Sequence, residues 1–226
     1  MTILHTMGRI DGRGTLFIYR YEDCKIGQHS SLLTFNNNIE TRIMKELWKI
    51  KPGDVVIDAG ASFGLYTLPA ILMGAQKVYA FEPHPQFYNS FRNNLELNNI
   101  VDKCELYQLG LANQEAELQF NLDDLTCFTG NPNSSIKVAR LDKVVEEMIK
   151  IDRLDFIKID VEGAELDVLE GAVNTINKFH PKLLIETHDS IKPHITDGVL
   201  EFLEKRYSIQ VETINFERIY LLITFV

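Results

Sequence analysis

The stretch that decides the fold is VVIDAGASFG, which runs from Val55 to Gly64. Its first half is apolar apart from one aspartate, as is typical of a strand covered on both faces by helices. Its second half is a turn of small residues, in which Gly60 can adopt a positive φ and lets a ligand approach the backbone closely. A helix is predicted to begin at about Leu65, and the free N–H groups of its first turn favour an anionic or carboxylate group. The stretch therefore predicts the first βα unit of an open α/β sheet, with a ligand at the turn.

Short β-branched runs alternate with helical periodicity along the chain, which is the pattern of βαβ units around a parallel sheet. Four nearly continuous apolar runs are predicted as buried parallel strands: Val55–Asp58, Val78–Phe81, Phe156–Ile159 and Leu183–Ile185. Two sets of apolar residues at three- and four-residue spacing are predicted as helix faces that pack on the sheet: Phe87, Phe91 and Leu95, then Leu166, Leu169, Val173 and Ile176. The predicted fold class is α/β, doubly wound and mostly parallel.

The two ends of the chain predict antiparallel strands. Ile10–Tyr21 indicates a β-hairpin around Asp11–Gly14, with residues 15–19 as its second arm. At the other end, Tyr207–Thr213 and Arg218–Val226 are joined by a link too short for a helical crossover, so the last strand is predicted to be antiparallel.

The remaining irregular segment is Asp123–Ser135, which is rich in Asn, Asp, Thr and Ser and predicts a long mobile loop. It does not have the character of a linker between domains. We therefore expect a single domain over residues 1–226, with 1–37 as an N-terminal hairpin or cap and 38–226 as the cofactor-binding and catalytic core.

Composition limits the possible partners and location. The formal net charge is −9 and no run of Lys or Arg exceeds a dipeptide, which argues against a nucleic-acid partner. The three cysteines, Cys24, Cys104 and Cys127, are widely spaced, so neither a disulfide framework nor a zinc knuckle is indicated. No apolar run approaches the roughly 20 residues that a membrane span needs, and residues 1–10 do not resemble a signal peptide. We expect a soluble cytoplasmic protein and leave its oligomeric state open.

A carboxylate supports the ligand predicted at the glycine turn. Glu82 closes the strand Val78–Phe81, about twenty residues after the turn, where a carboxylate can accept both hydroxyls of a ribose. The alternative is that Glu82 caps the following helix, Gln86–Leu97, for which it lies slightly too early. The spacing from Gly60 to Gly64 departs from the glycine fingerprint of dinucleotide-binding proteins, which weakens the case for NAD or FAD.

Four blocks, in this order and spacing, resemble the FkbM-type methyltransferases: VIDAGASFG at 56–64, FEP at 81–83, FIKIDVEGAE at 156–165 and IETH at 185–188. The resemblance covers the chain from about Glu40 to His188. It implies a Rossmann-like fold with a seven-stranded sheet, an antiparallel last strand and S-adenosylmethionine as the cofactor. It also implies the cofactor-binding residues, with the methionine end on Asp58, Gly60, Ser62 and Gly64, the ribose on Glu82 beside Pro83, and the adenine near Gly110 and Leu111, after a strand at residues 104–109.

The candidate catalytic residues are Asp160, Glu162, Glu186 and His188, which fall at or just beyond the carboxyl ends of predicted strands. Methyl transfer to an alcohol requires removal of the hydroxyl proton, and the histidine or one of the two acids at 160 and 162 could do this. The same set could instead hold magnesium or manganese, although a metal is not our first expectation. The structural alternatives are that Glu162 and Glu165 only charge the first turn of a helix, which we accept for Glu165, and that His188 is a surface loop residue.

The resemblance favours O-methylation of a hydroxyl on a sugar, glycolipid or secondary metabolite, with a small-molecule or carbohydrate- or lipid-linked acceptor. The chain has no Asn-Pro-Pro-Tyr or Asp-Pro-Pro-Tyr segment of the kind that amine-methylating enzymes resemble. Two alternatives from other classes stay open: an NAD-dependent oxidoreductase on the same sheet, and a binding module that keeps the cofactor fold without catalysis.

Overall fold

The computed structural model describes residues 3–7, 16–19, 43, 46–121, 133–215 and 218–226. The chain divides into two compact units, residues 1–108 and 109–226. The expectation of one domain with residues 1–37 as a cap stays a prediction.

The N-terminal strands of the first unit form an antiparallel pair, as predicted, but the first arm lies further upstream. Strand β1 is Ile3–Met7 and strand β2 is Leu16–Tyr19. Met7 pairs with Leu16 and Thr6 with Phe17. The hairpin was predicted to start at Ile10, whereas its first arm ends at Met7, and the predicted turn at residues 11–14 lies outside the described residues.

Three parallel strands form the sheet of the first unit: β3 (Val55–Ala59), β4 (Lys77–Phe81) and β5 (Cys104–Tyr107). They are connected by helix α1 (Thr67–Met73), helix α2 (Pro85–Leu97) and a 3-10 turn (Val101–Lys103). All five residues of β3 are buried, which agrees with a sequence that is apolar apart from Asp58. Phe91 and Leu95 of α2 pack with buried residues of the sheet, which confirms these two residues of the predicted helix face, and Phe87 is buried against the rings of Phe63 and His84.

The same sheet contains four further strands, which belong to the second unit: β9 (Phe156–Ile159), β10 (Lys182–Thr187), β11 (Ile209–Asn215) and β12 (Ile219–Phe225). β9 and β10 are parallel, whereas β12 is antiparallel to both β10 and β11. The antiparallel last strand is therefore confirmed. The seven-stranded, mostly parallel sheet of the predicted α/β class is confirmed as well, with three of its strands in the first unit and four in the second.

A smaller sheet of three strands lies in the second unit, formed by β6 (Gly110–Leu111), β7 (Ala116–Phe120) and β8 (Ser134–Ala139). β8 pairs with β6 in parallel and with β7 antiparallel. The predicted loop Asp123–Ser135 is therefore too long at its end, because its last two residues already belong to β8. Residues 122–132 lie outside the described residues.

The helices of the second unit are α3 (Leu141–Lys143), which continues as a π-helix over Val144–Ile149, α4 (Glu165–Glu170), α5 (Val173–Phe179) and α6 (Ile195–Glu204). The apolar set from Leu166 to Ile176 was predicted as one helix face, but the helix is interrupted at Gly171, between α4 and α5. A Cβ atom on Gly171 would lie 2.0 Å from the carbonyl oxygen of Ala112. This close backbone approach explains why a glycine stands there.

Two further sequence predictions can be compared with the structure. Cys104 is a buried free cysteine, and the other two cysteines lie outside the described residues. Among the helices that the structure describes, none is long and apolar enough to cross a membrane.

Candidate functional site

The glycine turn of the first unit is held open by backbone hydrogen bonds to the neighbouring strand. The N–H groups of Gly60 and Ala61 both donate to the carbonyl oxygen of Phe81, each at 3.0 Å. Gly60, Ser62 and Gly64 all have positive φ values, of 77°, 50° and 87°. Glycine adopts such angles without strain, so Gly60 and Gly64 suit their positions, whereas the backbone of Ser62 is strained. The turn extends to Tyr66, so α1 begins two residues later than the predicted Leu65.

Gly64 is required by packing as well as by its backbone angle. A Cβ atom there would lie 2.4 Å from Cε2 of Phe91, so the ring of α2 occupies the space of a side chain. Asn94 of the same helix is fully buried, and its amide donates to the carbonyl oxygen of Phe63 at 2.8 Å. Helix α2 thus fixes the turn through the ring of Phe91 and the amide of Asn94. No motif in the sequence pointed to Asn94.

Asp58 lies at the end of β3, as predicted, and its side chain is completely buried. Its Oδ2 atom accepts a hydrogen bond from Thr67 Oγ1 at 2.6 Å. The contact ties the end of the strand to the first residue of α1. The role of Asp58 in cofactor binding stays a prediction.

Glu82 connects the glycine turn to the end of β4. Its Oε2 atom accepts the N–H of Ser62, and its Oε1 atom accepts the N–H of His84, both at 2.8 Å. The residue is only 5% exposed. The N-cap of α2 is His84, whose Nδ1 accepts the N–H of Gln86 at 3.2 Å, and Glu82 does not cap this helix. Pro83, which separates the two, is half-buried.

The residues expected near the adenine belong to the second unit. Gly110 and Leu111 form the short strand β6, and they pair with Val138 and Ala139 of β8. Both are buried. The preceding strand β5 ends at Tyr107, two residues before its predicted end, and the assignment of Gly110 and Leu111 to cofactor binding stays a prediction.

The four predicted catalytic residues come together in the second unit, where the carboxyl ends of β9 and β10 lie side by side. Asp160 directly follows β9, Glu186 is the penultimate residue of β10, and His188 directly follows that strand. We call the whole group of charged side chains the His188 cluster, which consists of Lys158, Asp160, Glu162, Glu165, Glu186, His188 and Arg218.

The imidazole of His188 is the centre of this cluster and is 2% exposed. It is therefore not the surface loop residue of the structural alternative. Its Nε2 atom lies 3.5 Å from Asp160 Oδ1, 3.5 Å from Glu162 Oε2 and 3.6 Å from Glu186 Oε1. It makes no hydrogen bond within the part of the chain that the structure describes. Three carboxylate oxygens thus surround one buried ring nitrogen without bonding to it.

The other ring nitrogen is fixed by Glu165. Nδ1 of His188 lies 2.7 Å from Glu165 Oε1, and the same oxygen accepts the N–H of Gly163 at 2.9 Å. Glu165 opens α4 as the sequence indicated, but it is fully buried, so it does more than charge the first turn of a helix. A carboxylate that accepts both bonds requires a proton on Nδ1, which leaves Nε2 to face the other acids.

Two cations border the cluster. Lys158 donates to Asp160 Oδ2 at 2.8 Å, as two side chains that alternate onto one face of a strand can do. Arg218 donates to Glu186 Oε1 and lies 4.0 Å from Glu162 Oε1. Sequence reasoning missed Arg218, because it precedes β12 and is brought to the cluster only by the antiparallel pairing of β10 with β12.

Burial and like charge act together on two of the acids. Burial raises the pKa of Asp160, and the nearby Glu186 carboxylate raises it further. Burial and the charge of Asp160 raise the pKa of Glu162 to about 7. Glu162 also has a strained backbone, with a φ of 54°. Its carboxyl group can therefore exchange a proton near neutral pH.

Glu186 and His188 are paired with opposite charges, which shift their pKa values against the effect of burial. Burial would raise the pKa of Glu186, but the neighbouring His188 and the cations Lys158 and Arg218 hold it at about 2. Burial would lower the pKa of His188, but Glu165 and Glu186 raise it to about 10. In the absence of a bound cation, His188 is therefore protonated at neutral pH and cannot accept a further proton.

The cluster also has the donor set of a metal site. One ligand atom each from Asp160, Glu186 and His188 lies within 4.8 Å of the others. Two kinds of chemistry are therefore open to the cluster, namely proton transfer through Glu162 and the binding of a cation.

Comparison with known proteins gives one family. The model described as the methyltransferase FkbM domain matches residues 58–209. "Methyltransferase 1" of Beauveria bassiana is 29% identical over 143 residues, which are 51% of this chain and 57% of that protein. "Methyltransferase sdnD" of Sordaria araneosa is 27% identical over 65% of this chain and 71% of its own length. The hexuronic acid methyltransferase AglP of Haloferax volcanii is 23% identical over 72% of this chain and 66% of its own length.

Solved structures share the fold. A methyltransferase FkbM from Methylobacillus flagellatus superposes with a TM-score of 0.58 and 20% identity, over 78% of this chain and 45% of that one. TrmK of M. capricolum, solved with S-adenosylhomocysteine, superposes with a TM-score of 0.52 and 15% identity, over 82% of this chain and 66% of its own. The chain spans about half the length of the first relative in each comparison, 57% and 45% respectively.

Proposed function

Because this chain belongs to the methyltransferase FkbM domain family, we propose that it transfers a methyl group from S-adenosylmethionine to a hydroxyl oxygen. The observation that carries the proposal is the position of Glu82, whose carboxylate is fixed at both oxygens between the glycine turn and the loop after β4. A carboxylate at the end of the second strand is the group that accepts ribose hydroxyls in nucleoside-binding α/β folds.

The donor set of the first unit fits the cofactor. Both oxygens of the Glu82 carboxylate accept backbone N–H groups, which fixes the carboxylate at the end of the second strand, the place from which a carboxylate binds ribose hydroxyls in nucleoside-binding α/β folds. Gly60 presents backbone without a side chain to the methionine end. We assign Asp58, Gly60, Ser62, Gly64, Glu82 and Pro83 of the first unit, and Gly110 and Leu111 of the second, to cofactor binding. The cofactor supplies an electrophilic methyl group on a sulfonium.

The residues of the His188 cluster activate the acceptor. Glu162 takes up the hydroxyl proton, because its pKa of about 7 matches a base that works near neutral pH. Glu162 is also the most exposed of the four predicted catalytic residues, with 30% of its side chain accessible. His188, Asp160 and Glu186 hold the charge around it. The base is thus assigned to Glu162 rather than to the histidine.

The proposed acceptor is a sugar, a glycolipid or a secondary metabolite, with no nucleic-acid partner and a cytoplasmic location. Support comes from the relatives, since AglP is named for a hexuronic acid. The net charge of −9 argues against a polyanionic acceptor.

Calorimetry separates this function from an NAD-dependent oxidoreductase without knowledge of the acceptor. We expect S-adenosylhomocysteine to bind and NAD not to bind, whereas an NAD-dependent oxidoreductase would show the reverse. Glu82→Gln should weaken S-adenosylhomocysteine by roughly 1.5–3 kcal/mol, or about 10–150-fold, because a charged acceptor is lost. Gly60→Val should abolish binding, since a β-branched residue disfavours a φ of 77°. Unchanged affinity in a folded Glu82→Gln protein would show that the ribose site is elsewhere.

Turnover separates the enzyme from a binding module. Once a hydroxylated sugar or glycolipid is found as acceptor, Glu162→Gln should lower kcat by roughly 10²–10⁴ while the affinity for S-adenosylhomocysteine is nearly unchanged. Full turnover in this variant would refute the assignment of the base, and no turnover with any acceptor would favour the binding module.

A further inference from the structure

We propose that the His188 cluster is a binding site for a divalent transition-metal cation, with Asp160, Glu186 and His188 as its protein ligands. The inference deepens the proposed function, on which it rests for the role of the cation but not for its binding. The cluster lies wholly within the second unit, and none of the comparisons assigns a metal to it.

The spacing of the candidate ligand atoms supports a shared ion. Nε2 of His188 lies 3.5 Å from Asp160 Oδ1 and 3.6 Å from Glu186 Oε1. These distances are too long for a charge-assisted hydrogen bond, which is about 2.7–2.9 Å between the heavy atoms. They agree with the separation of roughly 3.4 Å between two ligands that bind one ion at about 2.1 Å in tetrahedral geometry. Both oxygens thus lie at the distance from Nε2 that is expected of ligands on a shared ion, and one ligand atom from each of the three residues lies within 4.8 Å of the others.

The two ring nitrogens of His188 have the surroundings of a metal-binding histidine. Its Nε2 atom is buried and has no hydrogen-bond partner within the described residues, although an orphaned buried ring nitrogen is costly. Its Nδ1 atom is bonded to the fully buried carboxylate of Glu165 at 2.7 Å. A carboxylate behind one ring nitrogen, with the other nitrogen directed at a group of acids, is the arrangement that supports metal-binding histidines.

The balance of charge in the cluster also favours a cation. Within the described part of the chain, the carboxylates of Asp160, Glu162, Glu165 and Glu186 face two permanent cations, Lys158 and Arg218. A metal-binding imidazole must be neutral, so cation binding displaces the proton that His188 holds in the ion-free cluster, and the ionised acids then leave two negative charges in a largely buried place. Uncompensated buried charge is unfavourable, and a divalent cation would balance it. Glu162 Oε2, 3.5 Å from Nε2, lies close enough to join the coordination or to hold a bound water.

The mixture of donors selects the class of metal. Carboxylates suit Mg²⁺ and Mn²⁺, and imidazole suits Zn²⁺ and other first-row transition ions, so a set with one imidazole and two or three carboxylates favours Mn²⁺ or Zn²⁺. At this place a divalent cation would act as a Lewis acid on the acceptor hydroxyl and so assist Glu162 in removing its proton.

The test measures binding of Mn²⁺ to the purified full chain after treatment with EDTA, by calorimetry and electron paramagnetic resonance. We expect one bound Mn²⁺ and, in the pulsed spectrum, coupling to one imidazole nitrogen. His188→Gln and Asp160→Asn should each weaken binding by more than about 100-fold, since losing a ligand costs more than the roughly 10–100-fold lost with an outer-shell partner. Asp160→Asn removes one charge from an acid-rich cluster and keeps its volume, so it serves if His188→Gln does not fold.

The matched control is an exposed histidine–carboxylate pair of the same unit. His194 Nδ1 lies 3.4 Å from Asp197 Oδ2, and both side chains are at least 80% exposed. His194→Gln and Asp197→Asn should leave Mn²⁺ binding unchanged. The proposal is overturned if neither Mn²⁺ nor Zn²⁺ binds stoichiometrically, if no nitrogen coupling is seen, or if folded Asp160→Asn binds like the wild type. Binding of S-adenosylhomocysteine is titrated separately, so a protein that binds it but binds neither Mn²⁺ nor Zn²⁺ overturns this proposal and leaves the proposed function standing.

Discussion

Replacing Glu82 by alanine tests whether its carboxylate holds the glycine turn against the end of β4. One oxygen accepts the N–H of Ser62 and the other that of His84, each at 2.8 Å, and alanine would leave both donors without this acceptor. Hydrogen bonds to a charged group contribute about 1.5–3 kcal/mol each. Because Ser62 is half-buried and water can replace its bond, we expect a total loss of about 3–4 kcal/mol in the free energy of unfolding. Glu82→Ala therefore does not report ligand binding alone.

The assay is urea unfolding of the ligand-free protein, followed by circular dichroism. Glu82→Gln keeps one acceptor oxygen and should lose about half as much, roughly 1.5–2 kcal/mol. Glu96→Gln is the control, because Glu96 is exposed and its contact with Arg92 at 3.9 Å should contribute less than about 0.5 kcal/mol. If Glu82→Ala were as stable as this control, the carboxylate would not fix the turn, and the geometry invoked for the ribose would fail with it.

Three further predictions concern backbone and charge. Gly64→Ala should lower the free energy of unfolding in urea by about 2–5 kcal/mol, because its Cβ would lie 2.4 Å from the ring of Phe91. Gly53→Ala is the control, with a similar φ of 89° and nothing within 4 Å of its Cβ, and should lower it by about 1–2 kcal/mol. Equal losses would contradict the packing argument. Gly171→Ala should prevent folding or lose more than about 4 kcal/mol, while Gly198→Ala inside α6 should gain about 0.5–1 kcal/mol, and a tolerated Gly171→Ala would refute the close backbone contact. In EDTA, Glu162→Gln should be more stable than the wild type above pH 7 and equally stable below pH 4.5. Folding raises the pKa of Glu162 from 4.5 to about 7, so the wild type loses stability as the pH rises through this window, whereas glutamine does not titrate. A stability difference that is independent of pH would contradict this prediction.

The candidate site divides into residues that sequence motifs could find and residues that they could not. Asp160, Glu162, Glu186 and His188 were found because each follows a recognisable apolar strand, and parallel strands bring their carboxyl ends to one edge of a sheet. Arg218 was not found, because its place depends on which strand β12 pairs with. A residue far along the chain carries no local signal of such a partner.

Glu165 shows a different limit. Its position at the start of α4 was clear from the sequence, and a solvent-exposed acid in the first turn of a helix is the ordinary expectation. Its complete burial, and its bond to His188, depend on how the first turn of α4 meets the end of β10. Burial and hydrogen bonding change an acid from a surface charge into an internal anchor, and neither can be deduced from its neighbours in sequence.

The sequence by itself determined the strands, the glycine turn and the order of the motifs, because the period of apolar residues and the need for positive φ are local properties. The tertiary structure decided what depends on distance between remote atoms. It broke the predicted helix face from Leu166 to Ile176 at Gly171, where a backbone carbonyl leaves no room for a Cβ. It also placed a buried His188 nitrogen among three carboxylates at 3.5–3.6 Å. Such spacing arises only when separate strand ends are fixed together, and it decides whether the acids transfer a proton or bind a cation.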